Sequence, residues 1–427
     1  MRKPAVIPLL LSQKMCSHPG SVPAWWRAGF LLASALLLQP GFSPAQVNPT
    51  ANGTARVLRQ CIIAEHKGEY CAWPSVVRAA NGDLLVLFTR TEEHLGPDGA
   101  ILCTRSTDNG ASWQSPAVIY DTPLDDRESG VTLLTGGVIL VHLWSTFHTR
   151  AGYDALADLS YERSTLARWS ATVDAARYRT RENMQGAWVT LSRDNGRTWS
   201  PPVRGCDAVH GGVQLHDGTL LVASYRQDLP RIGVYRAGLP DLQFTRIASI
   251  DSPAADSVGF GEPHVLQLSS GRIIMMIRAT ALRYDDMSPR CLLWESYSDD
   301  NGNTWSTPFR TPLWGFPPHL LQLTDGRILC SYGYRRPPFG ERACISDDGV
   351  SWTLKNEVVL RDDAPNGDLG YPASVQLDSA RVLTVYYQPN VPRGTVQELH
   401  PPDPGRTKPG ILGTVWVLPS RGDRSKP

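Results

Sequence analysis

The sequence has little charge and no excess of either sign. Only 19% of its 427 residues are charged, and 42 basic residues are balanced by 41 acidic ones. Four of the basic residues precede residue 46, where there are no acids, so the rest of the chain has 38 bases against 41 acids. Because a nucleic-acid-binding protein needs a basic face, we expect no nucleic acid partner.

The sequence also has no obvious membrane span. The apolar segment 28–38 has only 11 residues, whereas a membrane-spanning helix needs about 20. It is followed by Ser43 and Ala45, small residues at positions −3 and −1 of a plausible cleavage site. We therefore predict that residues 1–45 are an export signal and that the mature protein is secreted or periplasmic, without membrane contact. A membrane anchor is the alternative interpretation.

Motifs for metals and nucleotides are missing as well. The sequence contains no Cys-x-x-Cys, His-Glu-x-x-His, P-loop or Gly-x-Ser-x-Gly pattern, so we predict no metal and no other cofactor. Eight cysteines are present, and all but Cys16 follow the export signal. Pairing of Cys61 with Cys71, or of Cys330 with Cys344, is open in an exported protein, although we expect most of the thiols to be buried and free.

What the sequence does contain is a long-range repeat. An apolar strand, a tight turn and a second apolar strand recur six times, with turn residues Gly82, Gly137, Gly218, Gly271, Gly326 and Ala380. Glycine suits such turns because it adopts positive φ without strain. Units of about 54 residues predict an all-β fold, a six-bladed β-propeller over residues 46–420. A solenoid and a β-sandwich remain as alternatives, but neither of these folds requires six matched units. The charged segment 421–427 is predicted to be a disordered tail.

One interval, from Gly137 to Gly218, is longer than the others. Residues 153–179 within it have apolar side chains at helical spacing and no Gly or Pro, which predicts a short helical insertion of one or two helices in blade two. We expect the ring to be closed by a strand near residues 57–64 or by one at residues 413–419.

A second repeat identifies the family. The octapeptide SRDNGRTW at residues 192–199 recurs as STDNGASW at 106–113, as SDDNGNTW at 298–305 and, shortened, as SDDGVSW at 346–352. These are Asp boxes, and the chain resembles the sialidase superfamily of Asp-box propellers over its mature length. In that superfamily the box lies on the outer rim, away from the active site. The octapeptide is therefore interpreted as scaffold, placed after the third strand of blades one, two, four and five.

The resemblance implies an active site at the mouth of the central channel. Glu262 precedes one strand of blade four and Arg278 ends the next, and a hairpin brings these two positions to the same face. In sialidases a Glu and an Arg at this spacing are the base and a ligand of the substrate carboxylate. Tyr371 stands just before blade six, where the family places its nucleophilic tyrosine.

Sialidases bind the carboxylate with three arginines, and the resemblance implies that blade five supplies one of them. Arg336 and Arg342 are the candidates there, with Arg335 as a weaker one. Blade one departs from the family because Ala72 and Trp73 stand where an Arg-Ile pair is expected. Arg90 or Arg127 would then supply the missing charge, and we expect weaker turnover of the common sialic acid reporters.

The acid/base of the family is an aspartate in a blade-one loop. Glu93 and Asp98 bracket the expected position, and the sequence does not decide between them. His210 and His264 are also expected near the channel mouth, where each alone is more often structural.

The sequence thus predicts a monomeric, retaining exo-glycosidase that removes terminal sialic acid or a related acidic sugar from glycans. One alternative is a non-catalytic Asp-box propeller that binds glycan or protein. Another is a glycosidase or lyase on the same scaffold that acts on a different acidic sugar.

Overall fold

The structure, a computed structural model, describes residues 55–66, 68–147, 163–175, 183–227, 230–255, 257–281, 291–389 and 408–420. These residues form six antiparallel sheets of four strands each. In chain order, the strands are as follows.

The chain begins with β1 (Arg56–Ala64). Blade one contains β2 (Tyr70–Arg78), β3 (Leu84–Thr91), β4 (Ala100–Ser106) and β5 (Ala117–Tyr120). Blade two contains β6 (Asp125–Leu133), β7 (Ile139–Thr146), β8 (Gly186–Ser192) and β9 (Val203–Arg204). Blade three contains β10 (Val213–Gln214), β11 (Leu220–Ser224), β12 (Ile232–Ala237) and β13 (Thr245–Ile250). Blade four contains β14 (Val258–Gln267), β15 (Ile273–Ala281), β16 (Leu292–Ser298) and β17 (Phe309–Trp314). Blade five contains β18 (Pro318–Gln322), β19 (Ile328–Tyr334), β20 (Gly340–Ser346) and β21 (Glu357–Arg361). Blade six contains β22 (Gly370–Gln376), β23 (Arg381–Pro389) and β24 (Pro409–Val417), with β1 as its fourth strand. Single 3-10 turns occur at Thr135–Gly137 and Leu354–Asn356.

The sheets close into a ring. The first strand of each blade contacts the first strand of the next, and β22 of blade six contacts β2 of blade one. The outermost strand of blade six is β1, which pairs antiparallel with β24 from Arg56 opposite Val417 to Ala64 opposite Ile411. The six-bladed propeller is thus confirmed, and both segments expected to close the ring do so by pairing with each other.

The apolar core lies between neighbouring blades. Leu85 and Leu87 of blade one, for example, pack in one cluster with Ile139 and Val141 of blade two, and all four side chains are completely buried. Each such side chain stabilises the fold by about 1.5–3 kcal/mol. Neighbouring blades are therefore held together largely by apolar side chains, while the strand-to-strand hydrogen bonds of each sheet stay within its own blade.

The Asp boxes occupy the places predicted for them, after the third strands β4, β8, β16 and β20. In the second box, Asp194 Oδ1 accepts the backbone N–H groups of Arg197 and Thr198 at 3.0 and 2.9 Å. Gly196 at its centre has φ 76°, and Trp199 packs against the apolar cluster between blades one and two. The boxes lock the outer turns, and their carboxylates are committed to that role.

The long interval in blade two contains one described helix, α1 (Arg163–Ala175), which lies between β7 and β8 in the chain. Arg168 and Trp169 of α1 both donate to the carboxylate of Glu92 in the loop after β3. The remainder of the predicted insertion lies outside the described residues, and its placement over blade two stays a prediction. No helix among the described residues is long and apolar enough to span a bilayer. The predicted export signal and the predicted tail lie outside those residues.

The seven cysteines from Cys61 onward are all free, and six of them are buried. Cys330 and Cys344 lie opposite each other on β19 and β20 without forming a bond. The alternative of disulfide pairing is therefore not realised in this structure, and burial of free thiols is the outcome.

Candidate active site

The inner strands of four blades share one backbone irregularity. Trp73, Glu128, Glu262 and Tyr371 have positive φ angles of 53°, 52°, 41° and 51°, which is uncommon for residues other than glycine. Each lies where the register between the first and second strands of its blade shifts. Each also stands nine residues before the turn residue of its blade. Such bulges re-aim a side chain, and strained positions of this kind cluster at functional sites.

The bulges of blades four and six bring the predicted pair together. The Tyr371 hydroxyl donates to Glu262 Oε1 at 2.7 Å, and Arg278 Nη1 donates to Glu262 Oε2 at 2.7 Å. Tyr371, Glu262 and Arg278 are 3%, 3% and 6% exposed. Both carboxylate oxygens of Glu262 therefore have a partner, one of which is the phenol that a base would have to deprotonate.

The electrostatics of the pair fit a buried base beside a weakly acidic hydroxyl. Burial alone would raise the pKa of Glu262, but the charge and hydrogen bond of Arg278, together with the Tyr371 hydrogen bond, hold that pKa below its usual value. Burial and the negative charge of Glu262 raise the pKa of Tyr371 well above its ordinary value. Glu262 is thus ionised at neutral pH, and Tyr371 becomes a nucleophile only by giving up its proton to a base.

In blade five, Arg335 rather than its neighbours lies at the pair. Its guanidinium lies 5.9 Å from the ring centroid of Tyr371, and its charge contributes to the low pKa of Glu262. Arg336 instead stacks on Trp314, 3.7 Å from the ring centroid. Arg335, the weaker candidate from the sequence, is therefore nearer to Tyr371 in contact terms than Arg336, which lies against Trp314.

Arg342, the other favoured residue of blade five, is also committed elsewhere. It donates to the backbone carbonyls of Glu341, Arg361 and Pro338. Its guanidinium is thus used to hold the strands of blade five together, because three carbonyl oxygens already accept from it.

In blade one, Ala72 stands where the resemblance implies an arginine, and its neighbour Trp73 lies beside the pair. The guanidinium of Arg127, from blade two, lies 4.1 Å from the centroid of the Trp73 ring, and that ring makes a T-shaped contact with Tyr371 at 6.4 Å. Arg90 instead lies 3.5 Å from Glu69 in a half-exposed ion pair. Of the two arginines considered as replacements, Arg127 is the one that lies beside the pair.

The two residues expected to supply the acid/base are engaged within the blade-one loop. Glu93 Oε1 is paired with Lys408 at 2.9 Å and is about one-third exposed. Asp98 Oδ1 accepts from the Thr91 hydroxyl at 3.2 Å and from the Glu92 backbone N–H at 3.4 Å. Neither makes a contact with Tyr371 or Glu262 among the described residues.

A charged cluster beside the pair was not anticipated from the sequence. Arg226 donates to Glu128 Oε2 and lies 3.5 Å from Asp207 Oδ2. The negative charge of Glu128 raises the pKa of Tyr371, as does that of Glu262, so both acids are near the phenol. The signal that would have found Glu128 is its offset of nine residues from Gly137.

The two predicted histidines are buried together with a third. His264 stacks on His319 at 4.7 Å between ring centroids, and His210 makes edge contacts with both. His210 also lies 6.2 Å from the ring of Tyr371. Burial lowers the pKa of His319 to about 3 and lowers the pKa values of the other two as well. The three neutral imidazoles pack next to the pair, and neither they nor any other group of three His, Cys, Asp or Glu side chains among the described residues is placed so that it could hold a metal ion.

A ring of Asp-box blades with a buried Tyr–Glu–Arg constellation at its inner strands defines a propeller of the sialidase superfamily. The chain belongs to the BNR repeat-like domain family, whose model matches residues 164–383. No curated protein sequence matches the chain.

Solved structures share the fold. A Dyadobacter fermentans protein of unknown function matches with 23% identity and a TM-score of 0.65, over 86% of this chain and 100% of that one. The NanB sialidase of Streptococcus pneumoniae matches with 11% identity and a TM-score of 0.58, over 84% of this chain and 70% of that one. An α-L-arabinofuranosidase of Fusarium graminearum matches with 14% identity and a TM-score of 0.54, over 84% and 97% of the two chains. At these identities the likeness extends to the fold alone.

Proposed function

We propose that the protein is a retaining exo-glycosidase that removes a terminal sialic acid or a related acidic sugar from glycans, with Tyr371 as nucleophile and Glu262 as its base. One observation carries the proposal: the Tyr371 hydroxyl donates to Glu262 at 2.7 Å, within the reach that proton transfer requires. The similarity in fold to a sialidase and to an arabinofuranosidase supports a glycosidase generally.

In the first half of the reaction, the Tyr371 oxygen attacks the anomeric carbon while Glu262 takes the phenolic proton. A carboxylic acid gives its proton to the leaving oxygen, and the glycosidic bond breaks. In the second half, water attacks the glycosyl-tyrosine, the acid residue takes the proton of that water, and Tyr371 recovers its own from Glu262. Two displacements at one carbon retain its configuration.

The acidic substrate follows from the choice of nucleophile and from the surrounding cations. A phenol is preferable to a second carboxylate when the anomeric carbon itself carries a carboxylate, since two negative charges would repel each other. Arg278, Arg335 and Arg127 all lie around the pair. Guanidinium groups bind carboxylates with paired hydrogen bonds and keep their charge at any relevant pH. We assign these three to the substrate carboxylate.

The setting of the enzyme is part of the same proposal. The apolar segment 28–38 and the small residues after it support export, and a glycan-cleaving enzyme meets its substrates outside the cytoplasm. We propose a secreted or periplasmic monomer that needs no cofactor.

The test is hydrolysis of a panel of 4-methylumbelliferyl glycosides of carboxylated sugars, including N-acetylneuraminic acid, by the wild type and by Tyr371→Phe. The phenylalanine variant keeps the buried ring and removes only the nucleophilic oxygen. We expect release of fluorophore by the wild type and its near-complete loss in the variant, with an unchanged thermal melting curve. If neither protein cleaves any member of the panel but the wild type binds acidic glycans by calorimetry, the non-catalytic alternative is correct.

A further inference from the structure

We propose that Glu128 is the general acid/base of the reaction proposed above, in place of the blade-one residues Glu93 and Asp98. The inference rests on the proposed function, because an acid/base has a role only if a glycosidic bond is cleaved. It assigns the acid/base that this function requires to a residue that the sequence analysis did not single out.

The backbone carries the first part of the argument. Glu128 occupies in blade two the same bulge that Glu262 occupies in blade four and Tyr371 in blade six. All three residues have positive φ, so their side chains leave the inner strands at corresponding levels of the ring. The Glu128 backbone N–H donates to the Thr89 hydroxyl at 3.0 Å, which fixes the bulge against blade one. A strained conformation costs roughly 1–3 kcal/mol, and such positions cluster at active sites. Two of these three residues, Glu262 and Tyr371, already have a place in the proposed mechanism.

Proximity to the nucleophile is the second part. Burial raises the pKa values of both Tyr371 and Tyr225, and the charges of Glu262 and Glu128 raise them further, so both carboxylates lie near these phenols. Arg127, next to Glu128 in the chain, reaches over the Trp73 ring that contacts Tyr371. Glu128 is therefore close to the phenol without being bonded to it, as a retaining mechanism requires of its acid.

The hydrogen bonding of Glu128 leaves one oxygen for a substrate. Arg226 donates to Oε2 of Glu128. Oε1 of Glu128 has no hydrogen-bond partner within the described part of the chain. It is not one of the fully buried polar atoms there that lack a partner. By contrast, both oxygens of Glu262 are bonded. Oε1 of Glu128 is thus the acidic oxygen beside Tyr371 that is open to a leaving group or a water.

Arg226 contacts a second carboxylate besides that of Glu128. Its guanidinium reaches Glu128 Oε2 and lies 3.5 Å from Asp207 Oδ2. Burial raises the pKa of Asp207, against the charge of Arg226 and the Ser224 hydrogen bond. Arg226 therefore keeps a carboxylate neighbour in Asp207 when Glu128 gives its proton to the glycosidic oxygen.

The other charged and titratable groups that face Glu128 are Arg127 and Asp125 on its own strand, Tyr225 beside Arg226, and Tyr371 across the channel. Asp125 is buried, and burial raises its pKa to about 6 despite the nearby Arg127. Asp125 nevertheless differs from Glu128. Arg127 donates to Asp125 Oδ2 at 3.0 Å, and Asp125 Oδ1 is fully buried. It is thus closed to a leaving group.

The experiment compares two leaving groups. It uses the 4-methylumbelliferyl glycoside that the wild type cleaves best and the methyl glycoside of the same sugar, whose alkoxide leaves only with a proton. For Glu128→Gln we expect kcat/KM to fall about 10²- to 10⁴-fold for the methyl glycoside and much less for the aryl glycoside. The alkaline limb of the pH–rate profile should disappear, and added azide should restore turnover by attacking the glycosyl-tyrosine without base assistance.

Two further sets of variants decide the outcome. Asp299→Asn, a carboxylate-to-amide change in an exposed ion pair with Arg272, should match the wild type in every measurement. Glu93→Gln and Asp98→Asn test the residues expected from the sequence. If either of them, and not Glu128→Gln, shows the leaving-group dependence and the azide rescue, the inference is wrong while the proposed function stands. A wild type that cleaves no member of the panel overturns both.

Discussion

Tyr371 and Glu262 are 109 residues apart in the sequence, yet the hydroxyl of one donates to the carboxylate of the other over 2.7 Å. They come from the innermost strands of blades six and four, between which blade five contributes Phe316 and Arg335. Arg278 and Arg335 both lie over the Phe316 ring, at 4.4 and 5.2 Å from its centroid. The aromatic ring therefore holds two cations at a fixed spacing on the side of the pair that faces blade five.

The first prediction concerns the base. Glu262→Gln keeps the shape of the side chain but removes the charge that accepts the phenolic proton, so turnover should fall about 10²- to 10⁴-fold. Because Arg278 holds the pKa of Glu262 below its usual value, the wild type should keep its activity as the pH falls toward 4.5. Steady-state rates across pH check both points, with Glu357→Gln in the outer strand of blade five as the control. Equal rates for Glu262→Gln and the wild type would contradict the assignment of the base.

The second prediction separates two adjacent arginines. Arg335→Lys should weaken binding of a carboxylated sugar by about 10- to 150-fold, since a charge-assisted hydrogen bond is worth roughly 1.5–3 kcal/mol. Arg336→Lys should change affinity little, because that guanidinium stacks on Trp314. Calorimetric titration with the free sugar acid measures both. A larger loss for Arg336→Lys would restore the ranking expected from the sequence.

The third prediction concerns pH and stability. His319 is buried with a pKa of about 3, against about 6.5 in an unfolded chain. Its contribution to stability is therefore complete above pH 6.5 and is lost as the pH falls from there toward 3, because the unfolded state binds the proton more readily. At pH 5 the loss is about 2 kcal/mol relative to pH 8.

The His319→Asn variant isolates this effect, because an asparagine oxygen can replace the Nδ1 that accepts from the Ser374 backbone N–H at 3.4 Å. Urea unfolding at pH 8 and pH 5 should show a smaller difference for His319→Asn than for the wild type. His66→Gln, which changes an exposed histidine, should keep the wild-type difference. If the free energy of unfolding of His319→Asn differs between pH 8 and pH 5 as much as that of the wild type, the His319 imidazole is not the source of the pH dependence.

The fourth prediction tests the interlocking of blades. Gly196 and Gly218 both have positive φ, 76° and 86°, so alanine at either costs about 1–2 kcal/mol in backbone strain. A Cβ at Gly196 would also overlap Leu85 of blade one, whereas one at Gly218 meets nothing within 4 Å. Gly196→Ala should therefore be the less stable variant by a further 1–3 kcal/mol, roughly the cost of overpacking a core. Chemical denaturation of both variants measures the difference, and equal losses would rule out the clash.

The sequence predicts the fold well because propeller blades repeat. Gly82 and its equivalents set the spacing of the hairpins, and each turn is a local feature that needs no knowledge of tertiary contacts. The pairing of Glu262 with Tyr371 was also predictable, because both lie in the first strands of their blades and the ring brings such positions together.

Other parts of the site depend on the tertiary contacts of individual side chains, which the sequence does not reveal. Arg335 and Arg336 are neighbours, and only the aromatic rings they meet, Phe316 and Trp314, decide which of them faces the pair. Glu128 has the same offset from its turn as Glu262, but the proline that follows Glu262 is a serine here, which hides the equivalence. In the blade-one loop, Glu93 is held by Lys408, a partner that is distant in the sequence.

The pairing of β1 with β24 has a consequence for the order in which the protein is made. A ribosome delivers the amino-terminal part first, so β1 emerges near the beginning of synthesis and its partner near the end. Blade six, which carries Tyr371, cannot be complete in the interval, and Glu262 has no phenol beside it until β22 takes its place between β18 and β2. A growing chain therefore carries Glu262 without Tyr371 beside it, and the site proposed for glycan cleavage is complete only after the last blade has been made.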